Sequence, residues 1–223
     1  MKKTKLTLSA VALFISSQPV FAGQWSLGVN LGQSSSDAIV QRCDTVRNGY
    51  KQIYPTDEFT CNVDDSDTSL GLNLNYNFNK TWGLEFGYVD FGQYTNTVST
   101  RDGFFTVSGT DETLPTSMDV SALYLAATST WDMSEAWSVT GRLGVAKVDV
   151  DFLARNNTPA FASSGDDTSV MAGLSMNYKL QKQWMLVLRY DYFDFAPEFE
   201  PKSRLLNIDT NIDVLSLGVT KAF

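Results

Sequence analysis

The sequence predicts an all-β protein, an eight-stranded antiparallel transmembrane up-and-down β-barrel with short periplasmic turns and long extracellular loops. Three observations lead there: segments alternate apolar and polar residues at period two, their polar face is mostly Ser, Gly and Asn, and tryptophans open several of them. A soluble sheet also alternates, but it presents Lys, Glu and Thr to water. Small uncharged residues suit the crowded interior of a narrow barrel turned inside out.

The chain opens with "MKKTKLTLSAVALFISSQPVFA", a basic start, an apolar run from Leu6 to Ile15, a helix-breaking Pro19 and a small-residue ending at Ala22. That order is a secretory signal peptide, residues 1–22, and the run is shorter than the ~18 apolar residues of a spanning helix. Residues 23–223 remain as one barrel domain. Losing Lys2, Lys3 and Lys5 takes the formal charge from −8 to −11, which disfavours nucleic acid as a partner.

Strand by strand, "QWSLGVNLG" sets Trp25, Leu27, Val29 and Leu31 against Ser26, Gly28, Asn30 and Gly32, and "SLGLNLNYNF" repeats the pattern. The eight expected strands are 24–32, 69–78, 82–92, 119–130, 137–150, 168–179, 184–193 and 213–223. In the fourth either of two faces could meet lipid. Choosing Leu123, Leu125 and Ala127 returns Trp131 to the same end as the other tryptophans. The turns "NKTW", "SEAW" and "QKQW" place Trp82, Trp137 and Trp184 at strand starts. With Trp25 and Trp131 they form an interfacial aromatic girdle; tryptophans of a soluble core would have no reason to mark turns.

The remaining connections, about Gln33 to Thr68, Tyr94 to Met118, Phe152 to Asp167 and Asp194 to Asp213, read as long polar loops without helical periodicity. Asp102-Gly103 within the second is a hairpin signal, so that loop is expected to be a projecting ribbon. It lacks a lipid-facing band, which argues against a ten-stranded barrel. Cys43 and Cys61, in one polar segment of an exported chain, are expected to form a disulfide.

The chain has no histidine, which removes Ser-His-Asp and Cys-His catalysis and histidine-ligated metals. No enzyme activity, cofactor or metal site is expected. The acidic runs "NVDDSD" and "GDD" lack the ligand order of an EF-hand and read as solvated loop. Loop aromatics, Tyr50, Tyr54, Phe59, Phe104, Phe105, Phe161 and Phe199, either contact partners or pack on one another.

Register turns Glu85, Arg142, Arg189 and Asp191 towards the lumen, because Trp82, Trp137 and Trp184 on the same strands face lipid. These charges should meet in adjacent interior layers. Two readings follow: a gate, in which Glu85 exchanges between Arg142 and Arg189, or a static network that fills the barrel.

The stretches "WGLEFGYVDFGQYT", "WSVTGRLGVAKVDV", "DTSVMAGLSMNYKL" and "DVLSLGVTKAF" resemble the OmpA-like outer-membrane β-barrel family in its transmembrane domain. The resemblance implies a Gram-negative outer-membrane location, contacts with lipid and lipopolysaccharide, and a C-terminal Phe223 read by the barrel assembly machinery. Lys221 departs from the pattern, standing where an apolar residue is usual. In the family a lumen glutamate with basic partners blocks the barrel, and Glu85 matches its strand position. The peptidoglycan-binding domain of some members is expected to be missing. Together these readings lead to a monomer with a structural and surface-interaction role, through a host-surface or phage ligand. The alternative is a narrow solute or ion pore.

Overall fold

The computed structural model describes residues 24–55, 58–100, 112–155, 161–181, 183–196, 198–200 and 210–223; the expected signal peptide and the Asp102-Gly103 turn lie outside them. Its elements are β1 (Gln24–Ser36), α1 (Ala38–Ile53), β2 (Phe59–Asp64), β3 (Ser66–Asn77), β4 (Trp82–Thr100), β5 (Glu112–Asp132), β6 (Trp137–Ala154), β7 (Phe161–Gln181), β8 (Trp184–Phe195), β9 (Glu198–Glu200) and β10 (Thr210–Ala222). Antiparallel pairs β1–β3, β3–β4, β4–β5, β5–β6, β6–β7, β7–β8, β8–β10 and β10–β1 close a ring of eight strands. The short strands stay outside the ring: β2 pairs the far end of β4 and β9 the far end of β7.

Alternation makes the wall two-faced. Leu27, Val29 and Leu31, then Leu84, Phe86 and Tyr88, point outward and are exposed, whereas Ser26, Asn30, Asn73 and Glu85 point inward and are buried. In the fourth ring strand Leu123 and Leu125 face outward and Tyr124 inward.

The second loop has the paired arms of the expected ribbon, and most of the third, read as loop from Phe152 to Asp167, is strand. β4 and β5 stay paired from Trp82↔Ser129 to Thr100↔Glu112, and β6 and β7 from Trp137↔Tyr178 to Ala154↔Phe161. The "GDD" run, and all of "NVDDSD" except Asp65, also lie in strands, where Asp67 and Asp167 accept backbone N–H groups of Gln93 and Ala196, each at 2.6 Å. One irregularity bends β4: Gly92 (φ 84°) forms a bulge. Its N–H donates to Asp90 at 2.9 Å, and a Cβ there would come within 2.5 Å of the Asp67 carboxylate.

Above the apolar outer band the strands continue as a raised wall whose faces exchange polarity. The outer side now carries Asp90, Asp119, Asp149 and Asp194, and the inner side Phe91, Val120, Val148 and Phe193. The inward residues join Tyr94, Met171 and Ile212 in one buried apolar cluster.

The helix corrects the expectation of a purely irregular first loop. Ile39, Cys43, Val46 and Tyr50 recur at helical spacing, and α1 buries Ile39, Cys43 and Tyr50. Ala38 and Ile39 enter the apolar cluster, and the Arg42 guanidinium lies 4.0 Å from the Phe152 ring centroid. Burial at that position lowers the Arg42 pKa to about 10. The Cys43–Cys61 disulfide joins α1 to β2. Tyr50 packs on Tyr54 and Phe59 at centroid distances of 5.3 and 5.5 Å. Phe104 and Phe105, and the side chains of Phe161 and Phe199, lie outside the described residues.

Candidate functional site

The structure brings Glu85, Arg142, Arg189 and Asp191 together in the lumen. Each stands at an inward position of β4, β6 or β8, and each is buried. The charges form a closed ring of alternating sign. Arg189 Nη1 lies 2.8 Å from Glu85 Oε1, Arg189 Nε pairs with Asp191, and Asp191 Oδ1 lies 3.1 Å from Arg142 Nη2. Arg142 Nε closes the ring at 3.9 Å from Glu85. Two cations and two anions cancel, which offsets the desolvation that an unpaired buried charge would suffer.

Register reasoning missed the neutral members of the cluster. The Tyr124 hydroxyl donates to Glu85 Oε1 at 2.9 Å and accepts from Arg189 Nη2 at 2.9 Å. Arg142 Nη1 donates to Ser175 at 3.0 Å, and Asn73 Nδ2 to Glu85 Oε2 at 3.5 Å. The available signal was an inward tyrosine opposite a glycine: Tyr124 pairs with Gly87, where a Cβ would sit 2.2 Å from the phenol ring. Gly173 likewise leaves room for Asp191, whose Oδ1 would lie 2.1 Å from an added Cβ.

The cluster divides the lumen. Towards the turns lies a polar vestibule of ≈ 410 Å³, with Asn77, Lys80, Asp132 and Lys179 near the turns and Glu85, Arg142 and Arg189 deeper in. Towards the loops there is a chamber of only ≈ 20 Å³ beside Tyr124 and Phe193, room for about one water. Beyond it Phe91, Phe193, Met171 and Ile212 fill the interior, each under 2 % exposed.

At the turn end Trp82, Trp131, Trp137 and Trp184 are exposed on the outer face, and Trp25, half-buried, packs on Tyr76 at 4.7 Å between centroids. The Phe223 N–H donates to the Trp25 carbonyl at 2.9 Å, tying the chain end to the first strand. Lys221 also stands on the outer face, its ammonium 5.5 Å from the Trp184 centroid and 5.1 Å from that of Phe223. A cation seated between interfacial rings keeps its head near water while its stem covers apolar surface.

A closed ring of strands, apolar outside and polar inside at membrane depth, with a rim of tryptophans at one end, defines an outer-membrane β-barrel. The model of the OmpA-like transmembrane domain matches residues 21–223. The chain belongs to that family and is placed by it in the outer membrane of a Gram-negative bacterium. Among solved structures, the outer membrane protein OprG from Pseudomonas aeruginosa is similar at 19% identity and a TM-score of 0.52, over 90% of this chain and 96% of that one. Ail, the attachment invasion locus protein of Yersinia pestis, is similar at 17% identity and 0.51, over 90% and 99%. At these identities the likeness is one of fold. A search of curated proteins found no match.

Proposed function

We propose that the protein is a non-conducting surface scaffold: a monomeric barrel that holds a raised wall outside the membrane, where the wall meets a host-surface or phage ligand. Strand length carries this reading. β4, β5, β6 and β7 run to 19, 21, 18 and 21 residues, about twice the ~9–11 that a tilted strand needs to cross the bilayer. The surplus forms regular, disulfide-braced structure of the kind that presents a fixed surface. The test is adhesion of cells displaying the protein to epithelial cells and matrix, and phage adsorption, against a variant lacking the segment from Cys43 to Cys61. Loss of binding with normal barrel assembly supports the role; unchanged binding in every assay removes it.

The pore alternative is favoured by the polar vestibule. It needs the Glu85 ring to open and the apolar filling around Phe91 and Phe193 to part as well, so single-channel conductance in planar bilayers should stay near zero for both wild type and Glu85→Ala. We further assign Phe223 to recognition by the assembly machinery. Phe223→Ala should lower the yield of heat-modifiable, membrane-inserted protein.

A further inference from the structure

We propose that the polar vestibule is a binding site, open to the periplasm, for a small hydroxylated anion: a solute that carries a carboxylate or phosphate beside its hydroxyl groups. The site is open at one end only. Its mouth lies among the turns, where Asn79 and Lys80 are exposed, and its floor is the charge ring, backed by the apolar filling around Phe91 and Phe193. Glu85 stands three residues beyond Trp82, so the floor begins about 10 Å along the strand from the turn. At ≈ 410 Å³ the vestibule falls within the about 300–1,000 Å³ of small-molecule pockets. A solute that enters at the turns leaves by the same mouth, so the space holds a ligand rather than passing it on.

Charge selects an anion. Six charged side chains line the space, Lys80, Arg142, Lys179 and Arg189 against Glu85 and Asp132, a surplus of two cations in a chain whose formal net charge is −8. Two placements create the surplus. Asp191, the fourth member of the charge ring, lines the loop-side chamber instead, and at the mouth Lys179 takes Asp132 at 3.5 Å while Lys80 has no partner among the described residues. A recess lined by excess charge of one sign concentrates the opposite ion. At the floor Arg142 is buried with a donor in reserve: Nη2, although 3.1 Å from Asp191 Oδ1, is aligned with no hydrogen-bond acceptor among the described residues. A carboxylate or phosphate oxygen is the acceptor that a guanidinium pairs with most strongly. The walls add the second requirement. Apart from Met185 and Val187 the lining is polar throughout, and the carboxamides of Asn75 and Asn77 form no hydrogen bond among the described residues. Each carboxamide both donates and accepts, as neighbouring hydroxyl groups do, so an apolar acid would leave this surface unmatched.

The test is methyl NMR of Thr128, Thr130 and Thr140, which all line the vestibule, in the full barrel in phospholipid discs. Gluconate and glucose 6-phosphate are titrated in, with glucose as the neutral control. The expected result is a saturable shift with at least one of the two anions, which identifies the preferred acid group, and none with glucose or with sodium chloride at matched ionic strength. Lys80→Glu, in an exposed turn, should weaken binding about fivefold, and Asn75→Leu, on the wall, should also weaken it about fivefold. Heat-modifiable migration checks that each variant assembles, and the second serves if the first does not. Failure of both anions to saturate, an equal response to glucose or to sodium chloride, or unchanged affinity in the assembled variants would overturn the proposal. So would shifts confined to Thr95 and Thr97 of the raised wall, which would put the anion at the other end of the barrel.

Discussion

The membrane-spanning and the raised parts of this barrel are made from the same strands in the same alternation, yet they obey opposite rules. On β6, Leu143 faces outward and Arg142 inward; a few residues higher Asp149 faces outward and Val148 inward. On β8, Tyr190 and Arg189 give way to Asp194 and Phe193 in the same sense. The backbone keeps its period and only the solvent changes. Where lipid surrounds the wall, polar groups satisfy each other inside; where water surrounds it, the interior becomes an ordinary apolar core.

The sharpest way to break the contrast is to unbalance the polar half. Arg189→Met removes the partner shared by Glu85 and Asp191 and leaves two buried carboxylates with only Arg142. A loss of about 3–5 kcal/mol is expected, read as a lower urea midpoint for the heat-modifiable form. An effect no larger than that of an outer-face substitution would mean that the ring is solvated. A second test uses one face of one strand. Leu143→Arg should cost about 2–4 kcal/mol at membrane depth, whereas Asp149→Arg, six residues higher on the same face, should be near neutral. Equal costs would place the boundary elsewhere.

Opening the disulfide addresses the raised part alone. Cys43→Ser with Cys61→Ser should destabilise α1 and β2 by about 3 kcal/mol on the loop-entropy estimate, raising proteolysis there while leaving urea unfolding of the ring unchanged. The smallest expected effect is at Gly87. Gly87→Ala crowds the Tyr124 ring and should cost about 1–3 kcal/mol, partly recovered in the Tyr124→Phe background if the hydroxyl's fixed position is the source of strain.

The same inversion explains what the sequence disclosed. The spanning half of most strands is legible because lipid-facing Leu, Val and Phe repeat against small polar residues and Trp82, Trp137 and Trp184 mark strand starts; the fourth, whose inner face carries Val120, Ala122 and Tyr124, needed Trp131 to choose its face. Beyond the membrane the outer face carries no apolar band, so residues 95–100 and 113–117 are legible only through the Asp102-Gly103 signal, as arms of a projecting ribbon; the pairing of β4 with β5 out to Thr100↔Glu112 agrees with it. Register sufficed to turn Glu85, Arg142, Arg189 and Asp191 inward. It could not supply Tyr124, since side-chain reach across the lumen depends on which opposite positions are glycine. The first-loop helix escaped because its apolar stripe of Ile39, Cys43, Val46 and Tyr50 is thin and interrupted by charge.

The seam between β1 and β10 has a kinetic meaning. It joins the two ends of the chain, from Ser26↔Ala222 to Ser36↔Ile212, and the Phe223 N–H to Trp25 O bond finishes it. Every other ring pairing joins residues at most 53 apart in sequence, as at Gln24↔Asn77, whereas this one joins residues 176 to 196 apart, so loop-closure entropy weighs most heavily on it. Hairpins can zip in succession, but the cylinder exists only when its first and last strands meet, and that meeting is expected to limit the rate of folding.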